Sequence, residues 1–251
     1  METPIILDID GKIARIVIDR EARRNALDNG ALELFLDVLA KVRKSDAVCL
    51  ILTGRGDRAF CAGSDLKALA AYTPREAEHH TYLFQTLTET LDELPCATIA
   101  AIEGACLGGG LEIALACDLR AAGETARFGF PEILVGALPT GGGTMRAPRA
   151  IGLTRAREML IFGEPVDAAT ALDYGLISAV TAQGAALAHA EAKAHKLAER
   201  VDREAVALLK TVLMHGATAA TRTGQALAFL ADVALVRTSA FKSGVANFDK
   251  H

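Results

Sequence analysis

The 251-residue chain has no tryptophan and only three tyrosines, too few for the aromatic platforms on which nucleic-acid bases stack. It also lacks a basic excess. Lys and Arg number 27 against 31 Asp and Glu, for a net charge of −4, and the densest basic group is only Arg20-Arg23-Arg24, which argues against nucleic acid as a partner. No apolar run approaches the roughly 20 residues that a membrane helix needs, so no membrane association is expected. The start, Met1-Glu2-Thr3-Pro4, has no basic region ahead of an apolar run, and no signal peptide is expected. The five cysteines make no C-x-x-C spacing and the six histidines no H-E-x-x-H pair. Buried free thiols in a reducing cytoplasm and no metal site are the expectation. Phosphate-binding signatures are missing too: neither G-x-G-x-x-G nor G-x-x-x-x-G-K-[ST] occurs.

What is present can fill a large core. Hydrophobic residues make up 51% of the chain and mean hydropathy is +0.26. Ile5–Ile9 and Ile13–Ile18 are strand-like runs joined by Asp10-Gly11, a hairpin signal. Arg20–Ala26 reads as a charged loop. From Asp28 to about Lys44 the spacing of Leu32, Phe35, Leu39 and Val42 predicts an amphipathic helix. Ala47–Thr53 reads as a buried strand, and a helix should begin at Asp65 or Leu66. Thr73-Pro74-Arg75-Glu76 is a capping box with proline at the first helical position, opening a helix to about Glu93. His79-His80 on that helix reads as a solvated face. Further on, helices are predicted over Gly143–Ala150, Thr154–Phe162 and Asp167–Tyr174, and a short strand over Leu176–Val180. From Gln183 to about Ala246 the chain reads as helices broken near Val201 and Gly216. The expected class is α/β, with a helical C-terminal part.

The stretch from Ala97 to Glu132 organises the rest. An apolar strand, Ala97–Ile102, leads through Glu103-Gly104 and Ala105-Cys106-Leu107 to Gly108-Gly109-Gly110 and a short apolar helix, Leu111–Cys117. Three glycines before a helix allow close backbone approach, and the free N–H groups there attract an anion or a polarised carbonyl. Glu112 in the first turn is flanked by Leu111 and Ile113, and a buried carboxylate costs free energy unless it is paired or functional. Glu132, behind Pro131, is a second isolated carboxylate, with Ile133-Leu134-Val135 after it. Two carboxylates in an apolar surround suit proton transfer at carbon. Ser64 lacks a G-x-S-x-G context and no histidine partner can be assigned to it. Capping, or use of its backbone N–H, is preferred to nucleophilic use of its hydroxyl, and if the backbone N–H is what serves, Ser64→Ala should be nearly silent. Pro139-Thr140-Gly141-Gly142-Gly143 reads as a mobile turn.

Arg24-Asn25-Ala26-Leu27, Ala59 to Leu66, Ala105 to Asp118 with its G-G-G-x-E, Phe128 to Glu132 and Pro139 to Gly152, in that order, resemble the crotonase (enoyl-CoA hydratase/isomerase) superfamily. The resemblance implies a spiral of ββα turns over residues 1–195, a helical trimerisation region over 196–251, and a homotrimer or dimer of trimers. It implies an acyl-CoA thioester ligand, its oxygen held by the backbone N–H groups of Ser64 and Gly109. Ala26, Ala62, Ser64, Asp65, Leu66, Gly108 and Gly109 match positions that contact CoA, and Arg24 is a candidate for its phosphates. Both acid positions of the hydratases are filled: Glu112 would activate water and Glu132 would exchange the α-proton, with no metal or redox cofactor. An isomerase, another crotonase-type acyl-CoA enzyme and a non-catalytic acyl-CoA binder are the alternatives. The sequence departs from the family at Pro139-Thr140-Gly141-Gly142, where P-G-A-G is common, and over Gly244 to His251.

Overall fold

In the computed structural model, which describes residues 3–216 and 220–247, the chain winds so that the strands from β3 to β8 fall alternately into two sheets. β1 (Ile5–Asp10) and β2 (Ile13–Ile18) form the expected antiparallel hairpin, with Gly11 at φ 54° in its turn. α1 (Asn29–Lys44) is capped by the Asp28 side chain on the Ala31 N–H and buries Leu32, Phe35, Leu39 and Val42, the face that the periodicity predicts. β3 (Cys49–Gly54) runs parallel to β2. β4 (Ala59–Cys61) then leaves for a second sheet, before α2 (Leu66–Ala71) and α3 (Pro74–Asp92). The capping box of α3 closes on both sides, Thr73 to Glu76 and back.

The pattern repeats. β5 (Ala97–Ile102) joins the large sheet, β6 (Ala105–Leu107) the small one, and α4 (Gly109–Leu115) follows. β7 (Leu119–Gly123) and β8 (Arg127–Gly129) lead into a short 3-10 helix, Pro131–Val135. α5 (Gly143–Ile151), α6 (Leu153–Phe162), β9 (Val166–Asp167), α7 (Ala168–Asp173) and β10 (Ala179–Thr181) complete this part. The large sheet is ordered β1-β2-β3-β5-β7-β10 and the small one β4-β6-β8-β9. This is the ββα spiral that the resemblance implies.

α8 (Ala186–Arg200) packs Ala186, Ala190 and Ala194 against Cys49, Ile51, Ile99 and Ala101 of the large sheet. It runs unbroken through residues 195 and 196, and its cap is Val201. α9 (Arg203–Gly216), α10 (Thr221–Leu235) and α11 (Ser239–Asn247) follow. Lys210 on α9 reaches Asp118 Oδ2 at 2.9 Å and the Cys96 carbonyl at 3.1 Å. The same Asp118 oxygen accepts from the N–H and hydroxyl of Thr98 on β5, so one carboxylate ties the helical tail to the core.

Two local expectations shift. The strand predicted over Leu176–Val180 is Ala179–Thr181, because Leu176 and Ile177 bury in the turn after α7. Ile133, Leu134 and Val135 are exposed, Leu134 at 68%, and do not enclose Glu132. All five cysteines are free and buried, and burial pushes the thiols of Cys49, Cys61 and Cys117 up to about 12. Among the described residues no helix is long and apolar enough to cross a membrane. The start at Met1-Glu2 and the tail end, residues 248–251, lie outside the described residues.

Candidate active site

The small sheet places the site. Its three parallel strands β4, β6 and β8 end at Cys61, Leu107 and Gly129, and Ser64, Gly108-Gly109 and Glu132 follow each end within three residues. Segments distant in sequence therefore meet along one sheet edge.

Ser64 pairs with Leu27 in an isolated parallel bridge. The rungs are Leu27 N–H to the Gly63 carbonyl and Asp65 N–H to the Leu27 carbonyl, both 2.8 Å. In an extended segment alternate peptide groups point to opposite sides, so the N–H of Ser64 itself faces away from Leu27. Gly109 is the first residue of α4, where no preceding turn accepts its N–H. Neither N–H has an acceptor among the described residues. The two segments touch: a Cβ on Gly63, which sits at φ 89°, would lie 2.9 Å from the Gly109 nitrogen. Glycine is required at 63 both for its left-handed backbone and for this approach.

Glu112 is 3% exposed. Its Oε1 accepts from the Gly143 N–H at 2.7 Å. Burial raises this carboxyl above its ordinary value, opposed by the N–H groups of Gly143 and Gly141 and by the Arg146 guanidinium. Arg146 is itself anchored, donating to the Gly141 carbonyl at 3.1 Å and pairing with Asp92 at 3.0 Å. The Pro139–Gly143 turn, predicted to be mobile, is thus fastened from both sides, with Gly141 and Gly143 buried.

Glu132 is placed differently. It opens the 3-10 helix behind Pro131. Its Oε1 lies 3.0 Å from where a Cβ of Gly108 would stand, and its Oε2 is buried with no hydrogen-bond partner. Burial raises its pKa to about 7 against the pull of its own backbone N–H, and the charge of Glu112 adds to the rise. Two carboxyls in contrasting surroundings, one met by backbone donors and one with an unclaimed oxygen, are equipped to divide base and acid roles.

The remaining candidates gather beside Ser64. The Ala62 N–H donates to the Arg24 carbonyl at 3.1 Å, and Ala26 precedes the bridging Leu27. Arg24 (φ 54°) is exposed and Leu66 is 57% exposed at the start of α2. Asp65 is buried and engaged: it caps α2 through Lys67 and Ala68 and pairs with Arg23 at 2.7 Å. Burial works to raise its pKa, but the Ala68 N–H and the guanidiniums of Arg23 and Arg20 outweigh it and hold the carboxyl below its ordinary value.

Several neighbours escape the sequence reading. His80, expected on a solvated face with His79, is 4% exposed, and its Nε2 lies 2.8 Å from Ser64 Oγ. His79 is exposed, as expected. Phe84 covers Gly109: a Cβ there would come within 2.5 Å of its ring. His80 and Phe84 stand one helical turn apart, and that spacing was the available signal. Arg146 carried none beyond its place four residues after Gly142.

Comparison with known proteins bears on the family and the fold. Residues 8–250 match the family model described as Enoyl-CoA hydratase/isomerase. A relative named putative enoyl-CoA hydratase/isomerase YngF, from Bacillus subtilis, is 42% identical over 171 residues, 68% of this chain and 66% of its own. The chain thus spans just under two thirds of that relative's length. The short-chain-enoyl-CoA hydratase of Clostridium acetobutylicum is 33% identical over 213 residues, 84% of this chain and 81% of its own. A crystal structure of an enoyl-CoA hydratase from Bacillus anthracis superposes with a TM-score of 0.95 at 33% identity, covering 98% of this chain and 96% of the other.

Proposed function

The chain belongs to the enoyl-CoA hydratase/isomerase family, and from that premise we propose that it is an enoyl-CoA hydratase, adding water reversibly and syn to a trans-2-enoyl-CoA. The observation that carries this reading is the unequal pair of carboxyls, Glu112 buried and Glu132 half-buried with an enclosed Oε2. A one-base isomerase needs only Glu132; here Glu112 is buried among backbone donors, and its charge acts on Glu132.

In the proposed route the thioester oxygen lies between the N–H groups of Ser64 and Gly109. Glu112 removes a proton from water as its oxygen bonds to the β-carbon. The π electrons move to the thioester oxygen, where the two donors stabilise the developing charge; one such donor is typically worth about 10²–10³ in rate. The enolate then collapses and takes the proton of Glu132 at the α-carbon. With a pKa near 7, Glu132 holds a transferable proton at neutral pH. Hydration ends with Glu112 protonated and Glu132 ionised, the arrangement from which dehydration starts. No step calls for a metal or redox cofactor. Ala26, Ala62, Leu66 and Gly108 would line the CoA path and Arg24 would meet its phosphates, while Asp65 shapes that wall through its cap and ion pairs.

The helical region beyond residue 195 is proposed as the assembly surface of a homotrimer or dimer of trimers, and a reducing cytoplasm as the setting that suits five free thiols. Hydration of crotonyl-CoA, followed by loss of the conjugated enoyl absorbance, tests the activity. Absence of turnover at high enzyme concentration, with acyl-CoA still bound, would reassign the chain to a binder.

A further inference from the structure

Ser64 was expected to contribute only its backbone, but the structure gives its hydroxyl a partner. His80 lies between two side chains: Nε2 is 2.8 Å from Ser64 Oγ, and Nδ1 is 2.7 Å from Asn29 Oδ1. The Asn29 amide is oriented by its Nδ2, which donates to the Glu76 carbonyl at 3.2 Å. Its oxygen therefore faces the ring, and Nδ1 must carry the proton. Burial lowers the pKa of His80 and keeps the ring neutral, leaving Nε2 a lone pair. The direction is then fixed: the Ser64 hydroxyl donates to His80, and His80 donates to Asn29. Because the ring is almost fully enclosed, that hydroxyl is turned into the protein and away from an incoming thioester. The edge of His80 meets Phe84 at 5.1 Å between centroids, and Phe84 lies over Gly109. One turn of α3 thus touches both segments that carry an unclaimed N–H.

We propose that Asn29, His80 and Ser64 form a positioning chain that aims the Ser64 N–H at the thioester oxygen, while Phe84 braces Gly109. The proposal rests on the acyl-thioester reading above. It makes His80 a positioning residue and gives the Ser64 side chain a task that the sequence withheld.

The test uses a chromophoric thioester, 4-(dimethylamino)cinnamoyl-CoA, whose absorbance moves to the red when donors polarise its carbonyl, together with steady-state hydration of crotonyl-CoA. Without a red shift in the wild-type protein the acyl-thioester reading itself fails. Given that shift, Ser64→Ala should reduce it and lower kcat about tenfold, the size of one well-placed hydrogen bond, with KM nearly unchanged. His80→Phe should act alike, and the double variant should be no worse than the worse single one, as expected for residues acting through one contact. Should His80→Phe fail to fold, Ser64→Ala decides alone, since it removes one oxygen and leaves the backbone intact. Unchanged kcat and unchanged red shift in Ser64→Ala overturn the proposal, as do fully additive losses. So does release of free CoA thiol from a saturated acyl-CoA by the wild type and not by Ser64→Ala, which would make the serine a nucleophile.

Discussion

Helices α4 and α10 are both apolar in sequence and end in opposite circumstances. Every residue of α4, Gly109–Leu115, is buried. No residue of α10, Thr221–Leu235, is buried, with Phe229 and Leu230 67% and 63% exposed. α4 sits between the small sheet, α3 and α5, so its side chains meet their own chain on all sides, and its one carboxyl is forced into the interior with them. α10 rests against α9 and turns apolar surface outward. We read large apolar side chains left exposed in this way as part of an interaction surface. On our reading, the same sequence character thus serves chemistry at one end of the molecule and association at the other.

The strongest way to break this contrast is at the carboxyl of α4. Glu112→Gln should lower hydration by roughly 10²–10⁴-fold, and should cost less in the exchange of α-protons of a saturated acyl-CoA with heavy water, followed by NMR against a no-enzyme control. Glu132→Gln should lose both. Full hydration by Glu112→Gln would make the carboxyl of α4 structural and leave a one-base isomerase working through Glu132.

Packing around the same helix gives the next effect. Gly109→Ala brings a methyl group within 2.5 Å of the Phe84 ring, so the Gly109 N–H must shift. Hydration should drop by about 10²-fold, as for a misplaced catalytic group, and Phe84→Leu in the same protein should recover part of it. No loss in Gly109→Ala would mean that α4 is packed more loosely than its burial implies.

The third effect comes from pH. Hydration needs Glu132 protonated, so its rate should fall as pH rises through about 7. Dehydration starts from the form with that proton on Glu112 instead, which carries the same total charge, and the net reaction takes up no proton, so its kcat/KM should fall in parallel as pH rises. A hydration kcat/KM that does not fall above about pH 7 would remove Glu132 from the α-proton step. The mildest effect on catalysis is expected at α10. Phe229→Asp should reduce the assembly seen by light scattering while hydration per chain changes less than in the variants above. A wild-type mass of 26.4 kDa at micromolar concentration would end the reading of α10 as an association surface.

Long elements were legible in the sequence because their signals are local. α1 announces itself by the spacing of Leu32, Phe35, Leu39 and Val42, α3 by its capping box, and the first hairpin by Asp10-Gly11. The small sheet was not legible as a sheet. β4, β6 and β8 have three residues each, too few to show a period, and their pairing is decided by tertiary contact. Both glutamates could be singled out as isolated acids among apolar residues. His80 could not be told from His79, because which of two adjacent histidines faces inward depends on where α1 and Ser64 come to rest. The fastening of the Pro139–Gly143 turn was hidden for a similar reason, since glycines read as freedom until Glu112 and Arg146 are seen to hold them.

The placement of Ser64, Gly109 and Glu132 just beyond three short strands separates inheritance of shape from inheritance of chemistry. The ladder of the small sheet closes at Cys61, Leu107 and Gly129. The side chains of Ser64 and Glu132, carried past those last rungs, take no part in the ladder itself. A descendant of this chain could therefore acquire a different reaction by one substitution at such a position, Glu132 first among them, while keeping the hydrogen-bonded frame and the proposed cradle for a thioester oxygen. Insertions within the strands would carry the opposite consequence, shifting every group on that edge at once.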